Sequence, residues 1–223
     1  MKKLLFVTTI LLFFTSIAPT AKAQEWNIGL DINSSYIWRG SKFGTGPAFQ
    51  PTIEYNISGF TLGFWGNVNA SENEAAETDI YIKYDFDFGL NFGITDYYYP
   101  GTSFFDNSDG NVAHAFEFNL GYTIGGLSLS GNYFLNQATA PGSALNAGCD
   151  MYFEAKYGFK HLDVFVGAGD GFHTPDHNFG LVNVGIGTSK KIKFTDSFSL
   201  PLTGSVVLNP TTEQLYIVVG ISL

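Results

Sequence analysis

The last nine residues of the chain alternate between two kinds of side chain up to the final position. The apolar parity consists of Leu215, Ile217, Val219, Ile221 and Leu223. A period of two is that of a β-strand whose faces meet different surroundings. A sheet that spans a membrane tolerates no open edge, because an unpaired backbone group in hydrocarbon costs several kcal/mol. We therefore expect this strand to close a barrel by pairing with the first strand.

The first 23 residues predict a secretory signal peptide. Two lysines precede an apolar run over Leu4–Phe14, and an Ala-Lys-Ala cleavage site ends at Ala23. The alternative is a retained anchor, but the apolar run is shorter than the roughly 20 residues that a membrane helix needs. We expect residues 1–23 to be removed, which leaves 24–223 as one exported domain.

Charge and cysteine content exclude two further classes of protein. The chain has a formal net charge of −9, and loss of the leader removes three lysines and no acid, which makes it −12. A nucleic-acid partner is excluded because phosphates would be repelled. Cys149 is the only cysteine, so no disulfide forms within the chain. Stability is therefore expected to come from the sheet.

Period-two alternation continues through the rest of the chain, without an apolar stretch of 18 residues beyond the leader. Most alternating segments are close to the roughly 9–11 residues that a tilted membrane strand needs. The sequence therefore predicts an all-β protein, a transmembrane antiparallel up-and-down β-barrel of about 12 strands. The segments are 26–39, 49–57, 60–69, 78–87, 90–99, 112–124, 127–135, 150–157, 162–169, 179–189, 198–208 and 215–223.

Connection lengths and residue types favour a membrane barrel over a soluble, lipocalin-like one. Tight Gly-containing turns alternate with longer polar segments, as short periplasmic turns alternate with outer loops in membrane barrels. The polar parity carries Gly, Asn, Ser and Thr with few lysines, unlike a soluble outer surface. Aromatic residues make up 17% of the chain. We interpret those near strand ends as a belt at the lipid headgroups, as at Tyr36, Trp38 and Tyr97–Tyr99.

The first predicted strand and its loop resemble a known family. Ser35–Gly40 reads SYIWRG, Gly46–Pro51 reads GPAFQP and Gly59–Gly66 reads GFTLGFWG. These motifs resemble the opening of the TorF-type porin family, over about residues 26–69. The resemblance implies an outer-membrane barrel with a pore-forming role and no defined substrate. Such barrels commonly end on an aromatic residue that resembles an assembly signal, whereas this chain ends on Leu223. We still expect the barrel-assembly machinery to be a partner.

If the apolar parity faces outward, most charged residues of the strands face the interior. A water-filled interior of this kind would favour cations. The alternative is a narrow or plugged barrel whose charges pair with one another, for example Lys83 with Asp85 or Asp79, since about twelve strands lie between filled and open barrels. The predicted pore-lining residues are Asp31, Arg39, Glu54, Asp79, Lys83, Asp85, Asp87, Glu117, Asp150, Glu154, Lys156 and Asp163.

Arg39 is the only arginine of the chain and is predicted at the outer end of the first strand. Its guanidinium could be a constriction or could orient a carboxylate or phosphate ligand. The interpretation that we favour is a structural salt bridge to an interior acid such as Glu54.

Two polar loops could bind metal but more simply read as exposed turns. The first, residues 170–177, has His173, His177 and two aspartates without a fixed ligand spacing. The second has Glu72, Glu74 and Glu77, which could bridge lipopolysaccharide through a divalent ion or form a solvated loop. We predict no metal site and no cofactor.

An enzyme is not predicted. A lipid hydrolase would need Ser, His and an orienting group close together. His114 lies near Glu117 and Asn119 but shares the parity of Phe116 and Phe118, which places it at a membrane interface instead.

The sequence thus predicts an outer-membrane barrel of a Gram-negative bacterium, a porin for passive diffusion of small polar or cationic solutes. Loops 40–48, 100–111 and 136–149 would set access. The partners expected are outer-membrane lipid, lipopolysaccharide and small solutes. A non-conducting barrel whose outer loops bind a ligand or envelope partner is the main alternative, and a lipid-modifying enzyme is the third.

Overall fold

A computed structural model describes residues 24–70, 77–100, 103–108, 111–138, 148–196 and 198–223, all of them in strands, turns and irregular connections. The predicted leader, residues 1–23, lies outside this part of the chain. No helix long and apolar enough to cross a membrane occurs among the residues that the structure describes.

The described residues form sixteen β-strands. Their bounds are β1 (Glu25–Asn33), β2 (Tyr36–Trp38), β3 (Ser41–Phe43), β4 (Ala48–Ile57), β5 (Phe60–Asn69), β6 (Glu77–Asp85), β7 (Leu90–Tyr98), β8 (Asn107–Ser108), β9 (Asn111–Val112), β10 (His114–Ile124), β11 (Leu127–Phe134), β12 (Met151–Gly158), β13 (Asp163–Gly171), β14 (His177–Lys193), β15 (Ser199–Asn209) and β16 (Gln214–Ser222).

Twelve of these strands form one closed antiparallel barrel, in the order β1-β16-β15-β14-β13-β12-β11-β10-β7-β6-β5-β4. Consecutive wall strands are neighbours, and β16 pairs with β1 through Ile221 and Ile32. The predicted fold class, a closed up-and-down barrel of about 12 strands, is confirmed. The other four strands form two separate hairpins, β2–β3 and β8–β9.

The alternation in sequence becomes an apolar exterior and a polar interior. Outward side chains such as Ile53, Leu62, Ile94 and Phe118 are exposed on the described surface. Inward side chains on the same strands include Thr61, Asn67 and Glu117, which are buried. One end of the barrel, which we call the loop end, has the connections that follow β1, β5, β7, β11, β13 and β15. The opposite end, which we call the turn end, has the other connections and both ends of the described chain.

Three predicted strand boundaries are wrong in ways that matter for the interior. The first wall strand ends at Asn33 rather than at residue 39, because the chain bends at Ser34 and Ser35 and leaves the wall. Strand β6 ends at Asp85, so Asp87 lies in the turn before β7. Strand β12 begins at Met151, so Asp150 belongs to the preceding connection.

Candidate functional site

The hairpin β2–β3 occupies the interior of the barrel at its loop end. Its two-residue turn has positive φ at both positions, 50° at Arg39 and 79° at Gly40, which is the type I′ pattern of tight hairpins. The prediction that Arg39 lies on the barrel wall is wrong. It lies at the tip of this hairpin, which we call the plug hairpin (Tyr36–Phe43).

Glycine is required at the hairpin tip. A Cβ atom built on Gly40 would lie 1.8 Å from the carbonyl oxygen of Val182 on β14, and φ is left-handed. The neighbouring Asn209 side chain donates a hydrogen bond to the Gly40 carbonyl at 3.1 Å. The turn is therefore pressed against the backbone of the wall.

Gly40→Ala should expel the plug hairpin, because backbone atoms must move to admit the methyl group. Arg39 is the only arginine of the chain, so an arginine-specific protease reports its exposure directly. We expect cleavage after Arg39 to accelerate by about tenfold or more. Gly125→Ala is the matched control, because Gly125 also has positive φ but no atom within 4 Å of its added Cβ. Equal cleavage rates in both variants would contradict the packing argument.

Arg39 forms a bidentate ion pair with Glu117 of β10. Its two terminal nitrogens donate to the two carboxylate oxygens at 2.6 and 2.9 Å. The guanidinium also lies between the rings of Trp38 and Tyr152, 4.4 and 4.5 Å from their centroids. The salt bridge that the sequence favoured thus exists, but its acid is Glu117 and not Glu54.

Glu117 is the most fully partnered acid of the interior. Besides Arg39, the Tyr97 hydroxyl donates to it at 3.0 Å and the Asn119 amide at 2.7 Å. Its side chain is only 1% exposed. A buried charge is tolerated only when it is paired and hydrogen-bonded in this way, so this network fixes the plug hairpin to the wall.

An aromatic layer fills the space around the ion pair. Trp38 stacks on Phe172 at 5.8 Å and meets Tyr97 at 5.7 Å, while Phe134 contacts both Tyr97 and Phe172 at 5.6 Å. The prediction that Tyr36, Trp38, Tyr97 and Tyr99 form a headgroup belt is therefore wrong. These four residues are part of the interior packing, together with Phe134 of β11 and Phe172 of the connection between β13 and β14.

His173, in the connection between β13 and β14, is buried in this layer. Its ring lies 4.0 Å from Phe172 and 5.9 Å from Trp38 between centroids. Burial, and secondarily the positive charge of Arg39, lower the pKa of His173 to about 3. Its Nε2 atom has no hydrogen-bond partner among the described residues, so the ring packs as a neutral group.

Two further acids lie in the loop half of the interior. The Tyr99 hydroxyl donates to Glu77 at 2.9 Å, so the interpretation of Glu77 as a solvated loop residue is wrong. Asp79 is also buried, and its Oδ1 atom lacks a partner within the described part of the chain. Glu72 and Glu74 lie outside the described residues.

The turn half of the interior is more open, and its two lysines, Lys83 and Lys156, are paired with nearby acids. Lys83 lies 3.6 Å from Asp85, the pair that the sequence offered as an alternative, and Lys156 lies 2.9 Å from Asp163. All four side chains keep more than a third of their surface exposed. Such exposed pairs stabilise little.

Several interior acids accept hydrogen bonds from neutral neighbours rather than from bases. Glu54 accepts from the Tyr81 hydroxyl at 2.7 Å, and Glu154 accepts from Tyr152 at 2.6 Å and from Asn183 at 2.9 Å. Among the other predicted pore-lining residues, Asp31 lies on β1 with its side chain exposed. Asp87 is exposed in its turn, and Asp150 accepts the backbone N–H of Gly148 and Phe172 at 3.2 Å.

A cavity of about 380 Å³ remains inside the barrel beside the plug hairpin. Residues of eight wall strands and of the hairpin line it, most of them polar or aromatic. The lining includes Ser35, Ile37, Glu154, Lys156, Asn183 and Val218.

The histidines do not converge on one site. His177 begins β14 and its Nδ1 contacts the Gly171 carbonyl at 3.1 Å, on the exposed side of the connection that buries His173. His114 is directed outward, where Asp96 lies 2.9 Å from its Nδ1, and Glu117 points to the interior. No group of three or more His, Cys, Asp or Glu side chains able to hold a metal occurs in the described residues.

Sequence reasoning missed several residues of the site. Tyr97 was assigned to the headgroup belt, and Tyr152 and Asn183 were not predicted because they carry no charge. Asp96 was missed for the opposite reason, since it is a charged residue on the outward parity of β7. The signal that could have found the first group is their parity with Glu117 and Glu154 along paired strands.

The chain belongs to a family of bacterial proteins of unknown function, Gcw_chp, whose model matches residues 18–204. No curated protein matches it. It is similar to the crystal structure of BamA from Haemophilus ducreyi lacking POTRA domains 1–3, with a TM-score of 0.42 and 12% identity. That match covers 85% of this chain and 42% of the BamA chain, so the chain spans less than half of that length. The resemblance to the TorF-type family stays a prediction.

Proposed function

We propose that this protein is an outer-membrane β-barrel through which small polar or cationic solutes diffuse passively when the plug hairpin is displaced. An apolar exterior on a closed sheet is the arrangement that hydrocarbon requires, because paired wall strands satisfy their backbone groups within the sheet. The interior is polar along the same strands. A location in the outer membrane accounts for both faces.

The observation that carries the proposal is the independence of the plug hairpin from the wall. It forms its own two-stranded sheet and does not belong to the twelve-stranded ladder. Its tip is held by side chains, chiefly by Arg39 on Glu117. Displacing the hairpin therefore leaves the barrel ladder intact and opens the loop half of the interior.

Charge in the interior supports a preference for cations. Acids outnumber bases among the predicted pore-lining residues, nine to three, and neither Glu54 nor Asp31 has a lysine or arginine partner among the described residues. Carboxylates along a water-filled path raise the local concentration of cations. Lipopolysaccharide and the barrel-assembly machinery stay expected partners, and the proposal gives His114 no catalytic role.

Planar-bilayer recording tests the proposal. The wild-type barrel should give rare, brief steps, and a variant with residues 36–43 replaced by a Gly/Ser linker of equal length should give steady steps. Under a salt gradient the reversal potential should be that of a cation-selective path, and Glu54→Gln with Asp85→Asn should reduce the selectivity. Heat-dependent gel migration checks that each variant is folded.

The second candidate is a non-conducting barrel whose outer loops bind a ligand or envelope partner. It is favoured by the complete burial of Phe134 and Glu117, which shows how tightly the loop half is filled. A folded linker variant without conductance would overturn the diffusion pore and support this candidate.

A further inference from the structure

The seam between the first and last wall strands is only partly closed. Residues Asp31–Asn33 pair with Gly220–Ser222. Hydrogen bonds between Leu30 and Leu223, at 3.2 and 2.9 Å, and from Ser34 N–H to the Val219 carbonyl, at 2.8 Å, extend this ladder at its ends. Beyond Ser34 the chain turns inward as the plug hairpin. The loop half of β16, Gln214–Val218, therefore has β15 as its one strand neighbour in the described part of the chain.

Side-chain exposure shows the same gap. The outward residues Leu215 and Ile217 of β16 are 62% and 71% exposed, whereas Leu208, opposite Leu215 on β15, is 39% exposed. The Val219 carbonyl points toward β1, and strand alternation directs the backbone groups of Ile217 and Leu215 the same way. We call this gap, bordered by Leu215–Val218 and Ser35, the lateral window.

The interior cavity lies directly behind the lateral window. Ser35 and Val218, which border the window, also line the cavity, and Ile37 lines the cavity next to Ser35. Farther inside, the cavity is lined by the carboxylate of Glu154 and the ammonium of Lys156. The Arg39 guanidinium also lines the cavity, and the other polar side chains of the lining, among them Asn183, are neutral. Arg39 is paired with Glu117 and Lys156 with Asp163, while Glu154 accepts hydrogen bonds from Tyr152 and Asn183. A polar group without net charge matches a lining in which each charged group already has a partner in the protein.

An apolar groove of about 430 Å³ runs along the outside of the same strands. Ile186, Val206, Ile217 and Val219 line it, and Gly204 forms its floor, with no atom within 4 Å of a Cβ added there. Ile217 and Val218, which border the lateral window, also line the groove, and Val218 lines the interior cavity as well. The apolar groove outside and the polar cavity inside thus both reach the β16 border of the window.

We propose that the lateral window binds an amphiphile with one acyl chain and an uncharged or zwitterionic polar head. The polar head of the amphiphile lies in the interior cavity. Its acyl chain lies in the outer groove, which is apolar and open to the membrane lipid. The window is already open in the ladder, so no wall hydrogen bond breaks on entry. This inference rests on the membrane location in the proposed function but not on conductance.

Photolabelling tests the inference, with dodecyl glucoside whose glucose carries a diazirine as the probe. The full barrel is placed in lipid nanodiscs, illuminated, digested and mapped by mass spectrometry. Adducts are expected on interior residues around Asn183 and Ser205. Gly204→Leu adds a side chain to the groove at a position where the Cβ meets no atom within 4 Å, and Ser205→Phe fills the cavity. Each should reduce interior adducts by about tenfold, as the lost burial of a few methylenes implies.

Two controls separate this site from ordinary lipid contact and from entry through water. Gly131→Leu places the same side chain on the outer face of β11, where it meets only the ring of Phe153, and it should leave interior adducts unchanged. Diazirine-glucose without the alkyl chain should not label the interior. Equal interior labelling by that probe, or no loss in Gly204→Leu and Ser205→Phe, would overturn the proposal. The proposal would also be overturned if no interior adducts formed and an Ile217→Cys, Cys149→Ser variant gave disulfide-linked dimers. A second copy of the protein would then cover the open edge of β16.

Discussion

Glu117→Gln is expected to convert the barrel from mostly closed to mostly conducting. The substitution removes the charge that the Arg39 guanidinium faces at 2.6 and 2.9 Å. Removing one partner of a buried ion pair costs about 3–5 kcal/mol, and the cost falls on the closed state, in which the guanidinium is out of water. We expect the open probability to rise by about a hundredfold, since about 1.4 kcal/mol is a factor of ten. Single-channel current from the refolded variant measures it directly.

Two further variants distinguish displacement of the plug hairpin from damage to the barrel wall. Arg39→Gln combined with Glu117→Gln leaves two neutral amides that can bond each other and keeps an acceptor for Tyr97, so closure should largely return. Glu54→Gln is a matched single change at an acid that bonds a tyrosine hydroxyl instead of Arg39, and it should leave the open probability unchanged. If Glu117→Gln stayed as closed as the wild-type protein, the ion pair would not hold the plug hairpin.

The wall of the barrel was predictable because it obeys one local rule. Alternation such as that of Leu215, Ile217 and Val219 can be recognised from neighbouring residues alone. It predicts both that a segment is a strand and which of its faces is outward. Twelve predicted segments correspond to the twelve wall strands. What one sequence does not encode locally is where a strand leaves the wall. Alternation continues from Trp26 through Trp38, although the wall ends at Asn33.

The plug hairpin was missed because its cause is non-local. An Arg-Gly turn is compatible with an outer loop, and it is the Val182 carbonyl, more than 140 residues away, that makes this turn pack inside. The partner of Arg39 was missed for a related reason. Glu54 was the acid expected on a neighbouring strand, whereas the hairpin reaches across the interior to Glu117 on β10. The parity of a charged residue thus predicted that it faces the interior. Which charged residues pair depended on where the chain leaves the wall and turns back as the plug hairpin.

Acidification is expected to open the barrel through His173. Burial holds the pKa of this histidine at about 3 in the closed structure, whereas a histidine exposed to water has a pKa of about 6.5. Above pH 6.5 both states carry a neutral ring, so pH has no effect through this group. As pH falls from about 6.5 to about 3, the exposed state binds a proton that the closed state excludes. The closed state then loses about 1.4 kcal/mol per pH unit across that window.

His173→Phe isolates this effect, because phenylalanine keeps the aromatic contacts with Trp38 and Phe172 and cannot take up a proton. Open probability is recorded from pH 7.5 to pH 4.5, where the wild-type barrel should open by about a hundredfold relative to the variant. Interior carboxylates titrate in both proteins, so the difference between the two curves reports His173 alone. His177→Phe, at the exposed first residue of β14, should follow the wild-type curve. Parallel curves for wild type and His173→Phe would mean that His173 stays buried when the barrel opens, and the aromatic layer would then belong to the wall rather than to the moving plug.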